Sequence, residues 1–336
     1  LPHSALKAIA MLGLLAALVA VYELSGSRKR SWQAIIVPVM VLLAAMPGTW
    51  LQPELSPYKG LSQTLRIAGT EIVDTRSSPL GLINVVISSD IPFRNAPGLS
   101  LMSRSPIPDQ VGIFTDGEGP VTIDHNPDRQ PLGYLDMQTS ALPFHLSSIR
   151  RLLVLGAGGG SPVQQAANHD VAHIDAVELN PQVIGLVAHE YADYAGHLYT
   201  RPGVRVHATE ARGFLAGTAH RYDLIQLAAR GGSDAGMHAL NESYVYTIEA
   251  ITTYLEHLSP DGYLAINSWI RLPPRDSLKH LATATQALRL AGHDNPAERL
   301  VMIRGWQTAT LLVKNSPFTA DEIKRLRAFS QARSFD

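Results

Sequence analysis

The chain has 336 residues, which is too long for one ordinary domain and short for three. Its net charge is −1 and its basic residues are scattered, so composition gives no electrostatic argument for nucleic acid, and we expect no nucleic-acid partner. The absence of cysteine excludes disulfides, thiolate catalysis and Cys-ligated zinc or iron–sulfur centres. Because the chain begins at Leu1 rather than Met, we expect it to be part of a longer protein.

Two apolar stretches open the chain. Ala5–Leu24 is almost wholly apolar, with Lys7 and Glu23 only at its ends, and about twenty such residues span a bilayer as a helix. A cleaved signal peptide is the rival interpretation. The second stretch, Trp32–Leu51, contains Pro38 and fits either a second span or a re-entrant segment. We therefore predict one or two membrane helices over residues 1–52.

A β-rich region follows, over residues 64–130. Leu82–Ile87 is an apolar run, and Val111–Phe114 and Pro120–Ile123 flank a glycine-containing turn. These patterns predict a small antiparallel β unit. Leu132–His145 is predicted to be a helix that leads into a main domain over residues 131–330.

Strands and helices alternate in the main domain, which predicts a doubly wound parallel sheet. The predicted strands are Leu152–Leu155, His173–Glu178, Val204–Thr209, Asp223–Leu227 and Tyr263–Ser268. The helical patterns are Pro162–Asn168, Gln182–Tyr191, Arg212–Leu215, Ser243–His257 and Asp276–Leu290.

The pattern changes near the C-terminus. Leu300–Arg304 and Thr308–Val313 are strands separated by a turn too short for a parallel crossover, so they must pair antiparallel. A parallel sheet that ends in an antiparallel hairpin is typical of the class I methyltransferase-like (Rossmann-type) α/β fold. A nicotinamide-binding domain would continue with helix-linked parallel strands.

A glycine-rich loop follows the first parallel strand. Gly156, Gly158 and Gly160 allow the backbone to approach a ligand closely, at the N-terminus of the next helix. Glu178 ends the second strand, about twenty residues later, where an acidic residue binds ribose hydroxyls. Glu210, followed by Ala211, ends the third strand and is placed to accept a hydrogen bond from an adenine amino group. Together these residues predict a site for S-adenosylmethionine or a close relative.

The histidines show no shared metal-ligand spacing, so we predict no metal. The nucleotide site also bears on location. The run Arg28-Lys29-Arg30 should face the cytoplasm, which would put everything after a second span outside. Because a nucleotide-type cofactor is supplied inside the cell, we instead expect an anchored or multi-pass protein of the cell inner membrane with a cytoplasmic globular part.

Segments on both sides of the loop share a resemblance. The region Leu152–Asn180, with Gly203–Gln226, resembles the spermidine/spermine synthase family, and most closely its membrane-anchored bacterial spermidine-synthase-like branch. Ser78-Pro79-Leu80-Gly81 and Phe114-Thr115-Asp116-Gly117 resemble the family's N-terminal β unit, and Tyr134-Leu135-Asp136-Met137 resembles its gate segment. The family implies S-adenosylmethionine or its decarboxylated form as donor, aminopropyl transfer to a polyamine, and often a homo-oligomer.

Two departures from the family pattern concern catalysis. Gly159 stands where the family has an aspartate in the loop, and Ala228 stands where it has the aspartate that accepts a proton from the attacking amine. Asp234, Asp136 and Tyr134 are the candidates to replace it. Asp234 lies in a glycine-rich loop that could close over the site.

These departures leave several functions open. Aminopropyl transfer is the family default. Methyl transfer to another acceptor, lipophilic if the membrane helices form, is an alternative, because loss of the aspartate at Gly159 leaves room for the carboxylate of S-adenosylmethionine. A nucleotide-binding membrane protein without catalysis is a third interpretation. The C-terminal hairpin argues against a nicotinamide-dependent oxidoreductase.

Overall fold

The structure is a computed structural model that describes residues 3–24, 55–228, 244–270 and 273–336. After an N-terminal helix, α1 (His3–Leu24), four strands form an antiparallel sheet in sequential order. They are β1 (Thr70–Ser78), β2 (Gly81–Ser88), β3 (Gln110–Thr115) and β4 (Glu118–Asp124). We did not predict β1, whose residues are exposed or half-buried and therefore carry no hydrophobic pattern.

A second sheet has seven strands in the order β10-β11-β9-β8-β5-β6-β7. They are β5 (Arg151–Leu155), β6 (His173–Glu178), β7 (Val204–Ala208), β8 (Tyr222–Leu227), β9 (Leu258–Trp269), β10 (Leu300–Arg304) and β11 (Thr308–Lys314). Strands β5 to β9 pair in parallel with their neighbours among themselves, whereas β11 pairs antiparallel with both β9 and β10. The predicted parallel sheet with its terminal hairpin is confirmed.

The described residues also form nine further α-helices. They are α2 (Gly60–Thr64), α3 (Gly133–Asp136), α4 (Leu142–Leu146), α5 (Ser161–Asn168), α6 (Pro181–Gly185), α7 (Ala211–Gly217), α8 (Ile248–Glu256), α9 (Arg275–Leu290) and α10 (Ala320–Arg333). The last of these, α10, was not predicted. Thr319 begins it with a capping box, in which the Thr319 and Glu322 side chains each bond the other's backbone N–H.

Alternate residues of β5 enter two different cores, as expected for a sheet covered on both faces. Leu153 and Leu155 pack with the side of the sheet that α7, α8 and α9 cover. Leu152 and Val154 belong to the opposite core, which extends without interruption to Val85 of the four-stranded sheet. The smaller sheet therefore packs beside the glycine loop and forms one wall of the site.

The predicted helix over Leu132–His145 is broken in the structure. Its residues form α3, a short 3-10 turn over Thr139–Ala141 and α4, because Gln138 between them is extended at φ −105° and ψ 156°. Gln138 also makes an isolated antiparallel bridge to Leu99, which draws it out of a helical path.

The predicted inner-membrane location is wrong, and so is the predicted membrane helix over Ala5–Leu24. Within the described ranges, no helix combines the length and the apolar composition that a membrane crossing requires. In α1, Lys7 and Glu23 leave about fifteen apolar residues between them, which rise about 22 Å, less than the ~30 Å of a bilayer's hydrocarbon core. The second predicted stretch, Trp32–Leu51, lies outside the described residues.

Candidate functional site

The glycine loop connects β5 to α5 through three left-handed residues. Gly156, Gly158 and Gly160 have φ values of 83°, 53° and 102°, which residues with a Cβ rarely adopt. The backbone N–H groups of Gly156 and Ala157 donate to the carbonyl of Val177 at 2.9 and 3.0 Å. The loop is thereby fixed against the end of β6.

Gly159 is required for a different reason. A Cβ added there would lie 2.1 Å from the carbonyl oxygen of Thr122 in β4, so no side chain fits. The room that we expected the missing aspartate to leave for a ligand carboxylate is therefore taken by the backbone of the smaller sheet. An aspartate at this position would require β4 to move.

Glu178 lies directly beneath this loop. Its Oε2 accepts a hydrogen bond from the N–H of Gly158 at 3.0 Å, and its Oε1 accepts one from the N–H of Asn180 at 3.0 Å. Tyr199 holds the other side of the loop by donating to the Gly158 carbonyl at 2.7 Å. The carboxylate predicted to bind ribose is thus fixed at the carboxyl end of β6, where each oxygen keeps a lone pair for a ligand hydroxyl.

Glu210 lies at the end of the next strand and caps α7. Its two oxygens accept from the N–H groups of Arg212 and Gly213, at 3.0 and 2.9 Å, while Ala211 is buried as the first helical residue. Both predicted cofactor carboxylates therefore occupy one edge of the sheet, and their backbone hydrogen bonds hold them in place.

A cavity opens beside the loop, at the carboxyl ends of β8 and β9. It lies between the two sheets, where α/β folds commonly bind ligands. Its wall includes the glycine loop together with Tyr134, Gln138, Gln165, Gln226, Ala228 and Asn267. Ala228, which occupies the place of the family's catalytic aspartate, contributes only a methyl group. Asp234, the predicted substitute for it, lies outside the described residues.

Tyr134 lies in the cavity wall. Its hydroxyl donates to Oδ2 of Asp124 at 2.7 Å, and Oδ1 of Asp124 accepts from Gln110 at 2.8 Å. Burial raises the pKa of Asp124, although these hydrogen bonds oppose the rise. Burial and the neighbouring Asp124 also raise the pKa of Tyr134. Tyr134 is therefore a fixed hydrogen-bond donor to Asp124, and our sequence analysis did not identify Asp124.

Asp136, the third catalytic candidate, does not line the cavity. Its Oδ1 lies 2.6 Å from Nε2 of His145 and 3.1 Å from Nε2 of His169, and its Oδ2 accepts from Arg333 at 2.7 Å. Burial would raise the pKa of Asp136, but the hydrogen bond with His145, the nearby His169 and the charge of Arg333 lower it well below its usual range. Asp136 is therefore an anchor for α10 rather than a group facing a ligand.

This cluster is also the grouping in the described chain that most resembles a metal site, since one atom each of Asp136, His145 and His169 lies within 4.8 Å of the others. Arg333 already supplies a positive charge to the carboxylate, and its Nη2 lies 3.5 Å from Nε2 of His145. A bound cation would have to share that space with the guanidinium, so we assign the cluster to structure.

Two curated proteins have sequences similar to part of this chain. No family model matches the chain. It is 30% identical over 114 residues to the polyamine aminopropyltransferase of Lachnoclostridium phytofermentans. The aligned stretch covers 34% of this chain and 38% of that protein. It is 30% identical over 142 residues to the polyamine aminopropyltransferase of Vibrio vulnificus, covering 40% and 43% respectively.

The predicted resemblance to the spermidine synthase family is confirmed. The match spans about two fifths of the length of these curated relatives, and both are named as transferases, the class predicted from the sequence.

The fold agrees with this relationship. The crystal structure of a probable spermidine synthase from Corynebacterium glutamicum superposes with a TM-score of 0.52 at 15% identity, covering 78% of this chain and 87% of that one. At this identity the match supports the fold alone, and it confirms the predicted class I methyltransferase-like architecture.

Proposed function

We propose that the chain is a spermidine-synthase-like transferase that binds S-adenosylmethionine or its decarboxylated form, and that it transfers the aminopropyl group of the decarboxylated form to an amine. One observation carries the proposal: Glu178 lies at the end of β6 with its carboxylate bonded to the loop amide of Gly158. In this arrangement the Glu178 carboxylate, which would bind the ribose hydroxyls, lies next to loop backbone that a ligand can approach closely.

The described residues fit such a donor molecule. The left-handed glycines leave the loop surface without side chains, and Glu210 marks the adjacent position along the sheet edge for the adenine ring. Bound there, the donor would supply a carbon made electrophilic by the neighbouring sulfonium. The role of the chain is then to orient that carbon toward the cavity beside Ala228 and to keep water from it.

Methyl transfer is the second candidate function. It is favoured by the cavity wall, in which no described side chain carries a carboxylate to hold a polyamine cation. The polyamine acceptor and self-association remain predictions from the resemblance.

Calorimetry tests the donor class. Full-length chain is titrated with decarboxylated S-adenosylmethionine, S-adenosylmethionine and NAD, and we expect one or both sulfonium compounds to bind. Glu178→Gln removes the charge that ribose hydroxyls would meet, whereas Glu71→Gln removes an exposed charge on β1 and is the matched control. Binding of NAD alone would overturn the proposal.

A further inference from the structure

Gln226 is an unusual residue for its place in the sheet. It lies near the end of β8, a strand with parallel neighbours on both sides, and only 1% of it is exposed. The other residues of that part of the strand, Leu224, Ile225 and Leu227, are apolar and buried, as central parallel strands usually are. A polar side chain that interrupts an apolar strand and lines a cavity is expected to form a hydrogen bond with a ligand.

A chain of hydrogen bonds fixes which way the Gln226 amide points. The backbone carbonyl of Leu135 can only accept, so Nε2 of Gln165 must face it, at 2.6 Å. Oε1 of Gln165 is then directed toward Gln226 and accepts from its Nε2 at 3.3 Å. The orientation of two side-chain amides is thus decided by one backbone carbonyl.

This relay leaves Oε1 of Gln226 as an acceptor with no hydrogen-bond partner among the described residues. Buried acceptors are rarely left unpaired, because the lost hydrogen bond to water is not replaced. Asn267, a neighbouring amide in the wall, is satisfied by contrast: it donates to the Leu227 carbonyl and accepts from Thr310. The atom of a ligand that meets Gln226 must therefore be a hydrogen-bond donor.

The described side chains around Gln226 are also uncharged. Of the described side chains in the cavity wall, Tyr134 alone is titratable. Asp124 lies behind Tyr134 and is already bonded to it, and Glu178 lies behind Gly158. An ammonium group brought into such a wall would lose its hydration without gaining a carboxylate partner, which favours the neutral amine.

We propose that Oε1 of Gln226 accepts a hydrogen bond from an N–H of the acceptor amine and that the site selects the uncharged form of that amine. The inference rests on the proposed function. The lone pair of the neutral nitrogen forms the new N–C bond, and the C–S bond breaks with its electron pair moving to sulfur. The amine gives up its proton to solvent before it binds, and the product leaves as the ammonium that the attack forms, so Gln226 takes no proton and no carboxylate base is needed at Ala228.

Two amines test the proposal by calorimetry on the full chain, with and without saturating methylthioadenosine. For butylamine, the apparent affinity should rise about tenfold per pH unit between pH 7 and 9. Well below an amine pKa of about 10.4, the fraction of amine in the free-base form increases tenfold with each pH unit. A flat or falling dependence, or no binding at pH 9, would overturn the proposal without any variant.

Substitutions sharpen the test. Gln226→Met removes the acceptor at similar volume and should weaken butylamine binding at pH 9 at least tenfold. Gln226→Glu supplies a carboxylate and should tighten putrescine binding at pH 7 at least tenfold. The controls are Gln164→Met and Gln164→Glu, since Gln164 is a buried neighbour on α5 that bonds Asn168 and does not line the cavity. Unchanged binding in Gln226→Met, or equal effects of the Gln164 variants, would refute the role of Gln226.

Titration with methylthioadenosine distinguishes failure of the inference about Gln226 from failure of the proposed function. If methylthioadenosine binds but the amines do not behave as stated, the inference about Gln226 fails and the proposed function stands. If no sulfonium compound or methylthioadenosine binds, the proposed function fails, whatever the amines show.

Discussion

The two halves of the site differ in charge and in the groups that hold their side chains in place. At the edge formed by β5, β6 and β7, the carboxylates of Glu178 and Glu210 are held by backbone N–H groups, at distances near 3 Å. At the edge formed by β8 and β9, the described wall is made of neutral amides, hydroxyls and the methyl group of Ala228. After the proposed function, we call the first the donor half and the second the acceptor half. The described residues of the donor half are charged and held by backbone N–H groups, whereas those of the acceptor half are neutral and held by side-chain hydrogen bonds. A neutral acceptor half suits a nucleophile that arrives without charge.

Gly159→Ala should have the largest effect and should disrupt the donor half. Its Cβ would lie 2.1 Å from the Thr122 carbonyl, so β4 or the loop must shift, at a cost of about 3 kcal/mol. Chemical denaturation measures the loss. Gly217→Ala is the control, because nothing lies within 4 Å of its added Cβ and the residue is helical. Equal stability of the two variants would show that the loop does not pack on β4 as described.

Asp136→Asn should come next, by releasing α10 from the segment that carries Tyr134 and Leu135. Removing the carboxylate leaves Arg333 with its charge unpaired, and we expect a loss of about 2 kcal/mol at pH 7. Because the pKa of Asp136 is lowered in the folded protein, its stabilisation is present above its unfolded pKa of about 3.9 and is lost as pH falls below it.

Denaturation curves of the wild type and Asp136→Asn should therefore converge on acidification below pH 4. Asp193→Asn is the matched control, since Asp193 also pairs with a histidine but its side chain is 95% exposed. Curves that keep the same separation from pH 7 to pH 3 would contradict the anchoring role.

Glu178→Ala tests the charged half directly. We expect the affinity for the sulfonium donor to fall at least tenfold, about 1.4 kcal/mol, because ribose hydroxyls lose their acceptor and the loop loses its bond at Gly158. Calorimetry measures the change, with Glu71→Ala as control. An unchanged affinity in a folded variant would remove Glu178 from the site.

Tyr134→Phe should have the smallest effect. It removes one hydrogen bond to Asp124 and leaves that buried carboxyl bonded to Gln110, so we expect a loss of stability of about 1 kcal/mol. Donor affinity should change little, because Tyr134 belongs to the neutral half. A tenfold loss of donor affinity would place Tyr134 against the donor instead and weaken the division into two halves.

The positions of the glycine loop and of Glu178 and Glu210 were predictable from the sequence because their signals are local. Glycines between a strand and a helix, and acids that end successive strands, lie within short stretches whose geometry the strands dictate. The terminal hairpin was likewise predictable from a turn too short for a crossover. These features needed no knowledge of distant contacts.

The acceptor half was not predictable in the same way. The relay joins Leu135, Gln165 and Gln226, which come from three separated segments, and nothing in any one segment fixes the orientation of an amide. One signal was available: a glutamine within an otherwise apolar parallel strand. The anchoring role of Asp136 was not predicted because Arg333, which pairs with it, lies almost two hundred residues away on a helix that no strong apolar pattern marks.

Product analysis tests the central claim most directly. Full-length chain is incubated at about pH 8.5 with putrescine and decarboxylated S-adenosylmethionine, and in parallel with putrescine and S-adenosylmethionine, and the products are identified by mass spectrometry. The account predicts methylthioadenosine and putrescine extended by one aminopropyl group, in equal amounts, from the decarboxylated donor. S-adenosylhomocysteine with a methylated amine, or a bound decarboxylated donor that never yields methylthioadenosine, would contradict it.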